Sequence, residues 1–257
     1  MLRIADEVRE IRSTSVLTEL RDGWEEVRSR QWLWVSIVYW GVFNMTAFPA
    51  FRVLGPYVAK HSLGGASAWA IILTVGGIGS LAGGLVGLRT RPPRPLFVCI
   101  ATLLFWWPPL VLSAVRAPVA AIAVAFFVAS IGMGWGSTLW PTILQQNVPA
   151  NSISRVSAFD YMGTFAVSPL AYALVGIVAA VAGVSGTLFG AAALGVIGTF
   201  LTLSIASVRG LRQPEPSADI GVAALATMTP RVEAGGRCRV SVFRPREAEA
   251  VQQPVWR

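Results

Sequence analysis

The chain has 257 residues, of which 54% are apolar and only 13% charged, with a formal net charge of +8 and a mean hydropathy of +0.60. Soluble globular domains carry about a quarter of their residues as charges, so this composition excludes an ordinary water-soluble core. The basic excess lies at the ends of apolar stretches and in the C-terminal tail. That distribution fits anionic lipid headgroups as partners and argues against nucleic acid.

Residues 1–31 form a charged lead-in with six Arg and seven acids. Asp6, Glu7 and Glu10 interrupt it too early for a secretory signal. Within it, residues 16–30 read as an amphipathic helix: Val16, Leu20, Trp24 and Val27 share a stripe, and Glu19, Arg21, Glu25, Glu26 and Arg28 occupy the rest. Such a helix either lies on a membrane surface or is a charged lead-in with no partner.

Residues 32–208 form the second domain, with apolar stretches at 32–58, 66–88, 95–114, 117–144, 158–182 and 185–208 and a single acid, Asp160. About 20 helical residues cross the roughly 30 Å hydrocarbon core of a bilayer, and helices satisfy their own backbone where water is absent. The expectation is an all-α polytopic membrane protein with six transmembrane helices. Arginines 12, 21, 28, 30, 89, 91, 94, 155, 209 and 212 fall on one side of these spans, and Lys60 and Arg116 on the other. The positive-inside rule then predicts cytoplasmic N and C termini. Residues 209–257, with Gln213-Pro-Glu-Pro-Ser and Gly235-Gly236, read as a disordered cytoplasmic tail.

The polar and small residues inside the spans are the candidates for function. Gly76, Gly79, Ser80, Gly83, Gly84 and Gly87 line the second span at the spacing that lets another helix backbone approach closely, within this chain or from a separate domain. Weaker versions are Gly132 with Gly136 and Ala191 with Gly195. Prolines 49, 56, 108, 109, 141 and 169 remove backbone donors and bend helices, as a rocking or gated protein requires and membrane helices in general tolerate. Arg52, about two helical turns past Asn44, lies inside the first span with no intramembrane acid to pair with. It either snorkels outward or faces a water-filled cavity. His61 reads as an interfacial residue. Asp160, five residues after Arg155 at the entry to the fifth span, reads as a structural carboxylate stabilised by the helix dipole and by arginine. Cys99 and Cys238 define neither a disulfide framework nor a metal site. There is no nucleophile elbow, phosphate loop or paired carboxylates, so an enzyme or a cofactor is not expected.

Two segments resemble the major facilitator superfamily. Gly84-Leu-Val-Gly-Leu-Arg-Thr-Arg-Pro-Pro-Arg-Pro-Leu, carrying Arg89, Arg91 and Arg94, is similar to the short cytoplasmic motif between the second and third helices of each half, with Leu88 where the family has an acid. Leu144 to Gly163, containing Arg155 and Asp160, resembles the loop before the penultimate helix of bacterial drug-efflux members. Glu19 to Leu33 is similar to their central loop running into helix seven. The resemblance implies a C-terminal six-helix half with a 3+3 helical repeat in the plasma membrane, exporting a small amphipathic substrate by alternating access against proton entry. It implies Asn44, Arg52, Trp135 and Trp140 as cavity residues, from the first and fourth helices. It also implies that the second helix, with its glycine groove, and the fifth face an N-terminal half that is missing here, or a second copy. The alternatives are a non-transporting remnant of a truncated gene and a six-helix permease or channel subunit that works as an oligomer.

Overall fold

The computed structural model describes residues 16–149, 152–165 and 168–211. The expected tail, apart from its first three residues, lies outside them, as do Arg12 and Arg212. Among the described residues the chain is all-helical, and six stretches are long and apolar enough to cross a bilayer: 31–62, 66–89, 95–114, 119–147, 153–182 and 184–204. These coincide with the six stretches expected from hydropathy except at their ends. The fifth begins at Ile153 instead of 158, because Ser154, Arg155, Ser157 and Asp160 mask the first turns of the helix. Leu81, Leu88, Ile177, Val181 and Leu201 are exposed on its outer faces. In water such an apolar exterior would drive association, and hydrocarbon is the solvent that matches it.

Helix α1 (Val16–Ser29) precedes the first span. It has a partner within the chain: Val27 is buried, and Trp24 packs against Phe159 with ring centroids 6.1 Å apart. Gly23 faces the same ring, where a Cβ would come within 2.7 Å.

The first span is built from α2 (Gln31–Pro49), a π-helical turn (Ala50–Leu54) and α3 (Gly55–Ser62). It runs on to Ser62, beyond the expected 58, because its prolines widen the helix without ending it. Pro56 has no N–H to offer the carbonyl of Arg52, four residues back, and the widened turn absorbs that loss.

Two positive-φ glycines, Gly64 and Gly65, turn the chain into α4 (Ala66–Arg89). The third span is bent, with α5 (Pro95–Thr102), a 3₁₀ turn (Leu103–Trp106) and α6 (Trp107–Ala114). Then come α7 (Val119–Asn147), α8 (Ile153–Phe165), α9 (Ser168–Ala182), α10 (Val184–Ser204) and the short α11 (Ala206–Gly210).

The glycine groove on α4 is filled from within the chain, which corrects the expectation that it lacks a facing partner among the six helices. Gly76, Gly79, Gly83 and Gly87 are buried against α7. A Cβ on Gly83 would collide with the Ile131 carbonyl, and one on Gly87 would come within 2.9 Å of Thr138 Cβ. Gly134 of α7 returns the contact on the Ser80 carbonyl. Close backbone packing is the main adhesive where lipid removes any hydrophobic drive between helices, and five glycines make it possible here. Gly84 is only half-buried, and Gly77 has open space around it.

A second joint ties the first, third and sixth spans. Thr199 on α10 bonds Tyr39 Oη at 2.8 Å and accepts from Trp107 Nε1 at 3.3 Å. Trp107 lies flat against Gly195, where no side chain larger than hydrogen fits. Phe43 sits at the centre of the aromatic packing around this joint, edge-on to Trp40, Phe48, Trp106 and Trp107 at 5.4–5.6 Å. Such edge-to-face pairs each add about 0.5–1.5 kcal/mol beyond area burial.

Candidate functional site

The prolines of the first span and the bend of the third leave two clefts that share Phe48, Arg52 and Met133. The larger, about 570 Å³, lies between the π-helical turn, α4, the 3₁₀ turn and α7. Its walls are aromatic, with Phe51, Trp69, Trp106 and Phe126, and its polar groups are Arg52, Ser80, Ser130 and the Trp106 indole. The smaller, about 330 Å³, lies toward α9 and adds Trp40, Asn44, Ser168 and Tyr172.

Asn44, Phe48 and Arg52 recur every fourth residue, so one face of the first span carries all three. Phe126, Ser130 and Met133 make the matching stripe on α7. The Arg52 side chain is exposed, and its guanidinium lies over the Phe48 ring, 5.3 Å from the centroid. A cation over an aromatic face gains about 0.5–2 kcal/mol, depending on desolvation. Asn44 is buried and donates its amide to the Trp40 carbonyl at 2.8 Å.

The four cavity candidates therefore divide. Asn44 and Arg52 line one cleft together. Trp135 and Trp140 line neither. Trp135 donates to Thr90 Oγ1 at 2.8 Å, closing the end of α4 onto α7. Trp140 donates to Asp160 Oδ2 at 2.8 Å, joining α7 to α8. Asp160 stands two turns inside α8, beyond the first turn where a helix dipole acts. The dipole account of this carboxylate is accordingly replaced by the indole N–H.

The cytoplasmic-motif arginines are spread around the α4–α5 connection. Arg89 ends α4, Arg94 precedes α5, and Arg89, Arg91 and Arg94 are all exposed. Arg155 lies on α8 beside Gly23 of α1, where a Cβ on the glycine would come within 3.3 Å of Arg155 Cβ. Among the described residues no three His, Cys, Asp or Glu side chains cluster as a metal site would need.

Sequence reasoning missed Trp69, Trp106, Phe126 and Ser130. The α7 stripe was legible at helical spacing. Trp106 was not, because its place depends on the bend of the third span. The chain matches no protein-family model, no curated protein and no solved structure.

Proposed function

We propose that this chain is a six-helix half of a small-molecule transporter of the major facilitator type, corresponding to the C-terminal half and built on a 3+3 repeat. In this reading it sits in the plasma membrane with both termini cytoplasmic, and works with an N-terminal-type half or a second copy of itself. The carrying observation is Arg52: a permanently charged side chain in an apolar span, at a π-helical turn, on the wall of two clefts. Charges at such depth are expensive and mark solute paths in membrane proteins. Broken helices lining a cavity are how secondary carriers admit a solute and change shape around it.

Since α7 occupies the α4 groove, the partner half meets a different surface. The exposed side of α4 with Ile78, Leu81 and Leu85, and that of α9 with Leu174, Ile177 and Val178, are the faces open to it.

The test is transport by the purified chain in liposomes, alone and co-reconstituted with an N-terminal six-helix half. Gradient-driven uptake that needs the second half supports the reading. Uptake by the chain alone at full rate would name a second copy as the partner if crosslinked dimers form, and an autonomous carrier if the chain stays monomeric; no uptake in either arrangement would remove the transport assignment.

A further inference from the structure

Among the described residues Arg52 is the only charged side chain on the wall of either cleft. The ion pairs among the described residues join Arg21 to Glu25 and Arg30 to Glu26, both on the lead-in side of the first span. The Arg52 guanidinium lies over the Phe48 ring and has no ion-pair partner among the described residues. The Trp106 ring lines the larger cleft, while its indole N–H is closed off from solvent and makes no hydrogen bond among the described residues. Arginine offers donors and no acceptor, the indoles of Trp69 and Trp106 have one donor each, and Ser80 and Ser130 carry hydroxyls that both donate and accept. The wall thus carries one cation among aromatic rings and two hydroxyls, with no acid among the described residues that line it.

We propose that the Arg52 cleft binds an amphipathic organic anion, with a carboxylate, sulfonate or phosphate-monoester head on an apolar body. The head pairs with the planar Arg52 guanidinium, which suits two-oxygen anions. The body covers Phe51, Trp69 and Phe126. A bare inorganic ion would leave most of the 570 Å³ and its aromatic wall uncovered. A cation would meet Arg52 with no acid to offset it, in surroundings where like charges are poorly screened. The same chemistry describes a dissolved aromatic carboxylate and an anionic lipid drawn from the bilayer. Calling the anion a transport substrate rests on the reading above. The binding site itself rests only on the cleft.

The probe is 2-naphthoate, with 2-naphthylmethylammonium as its counterpart of opposite charge, measured by equilibrium dialysis on the full chain in phosphatidylcholine nanodiscs. Saturable naphthoate binding that the ammonium does not displace is expected. Arg52→Gln should weaken it by about tenfold or more, and Arg52→Lys by less. If Arg52→Gln fails to purify, Arg52→Lys and the preference of the wild type for naphthoate over the ammonium still decide the question. Phosphatidylglycerol that displaces naphthoate, and co-purifies with the wild type but not with Arg52→Gln, would support the anion site and name a lipid as its occupant. Ammonium binding as tightly as naphthoate, naphthoate binding unchanged in both variants, or no retention of naphthoate or phosphatidylglycerol would overturn the proposal. Flux is scored separately in liposomes. Anion binding without flux removes the transport reading and leaves the site, whereas flux of a cation without anion binding does the reverse.

Discussion

Trp140 on α7 donates its indole N–H to the Asp160 carboxylate on α8 at 2.8 Å, across 20 residues of chain that include the connection between the fourth and fifth spans. The single acid of the membrane region is thereby held by a neutral donor, and the bond pins the start of the fifth span to the end of the fourth. Hydrogen bonds to charged groups contribute about 1.5–3 kcal/mol. Trp140→Phe should therefore lower the thermal unfolding midpoint of the purified protein, and Asp160→Asn, which keeps a carbonyl acceptor, should lower it less. Equal midpoints for wild type and Trp140→Phe would show that the bond does not hold the two helices together.

The α4–α7 contact predicts opposite outcomes for two glycines of one helix. Gly83→Ala drives a Cβ into the Ile131 backbone, and overpacking of this kind costs about 1–3 kcal/mol. Gly77→Ala meets nothing within 4 Å and gains up to about 1 kcal/mol of helix propensity. Thermal unfolding of the two variants side by side should place them on either side of wild type. A Gly83→Ala protein as stable as Gly77→Ala would mean that the two backbones do not touch.

Thr199 serves Tyr39 and Trp107 with one hydroxyl. Thr199→Val keeps the shape and leaves two buried polar groups unpartnered, at a cost of about 1–3 kcal/mol each. Thr199→Ser restores the oxygen and should recover most of the loss. The Trp107 contribution to fluorescence, taken as the difference from Trp107→Phe because the chain has ten tryptophans, reports the same site, and a red shift in Thr199→Val absent from Thr199→Ser should accompany the destabilisation.

Membrane orientation is tested with impermeant thiol reagents on a protein whose Cys99 and Cys238 have been replaced. Single cysteines at Lys60, Arg116 and Ser185 should label from outside in intact cells, and cysteines at Arg91 and Arg94 only after permeabilisation. Labelling of Arg91→Cys in intact cells would invert the topology.

The number and rough limits of the six spans were legible in the residues alone, because hydrocarbon demands about 20 apolar helical residues per crossing and one acid in 177 positions leaves no other solvent. The placement of Asn44, Phe48 and Arg52 on one helix face was legible too, since a spacing of four repeats close to the helical period. Which helix fills a glycine groove was not. Gly76 to Gly87 mark α4 as able to accept a close neighbour, but small residues specify a distance and not an identity, and only the packed structure assigns α7. The same holds for Trp140 and Asp160, and for the unpartnered N–H of Trp106: local periodicity carries no information about contacts between helices far apart in the chain. In lipid, where apolar faces are interchangeable, backbone fit and a few hydrogen bonds choose the partner, and those exist only once the helices have met.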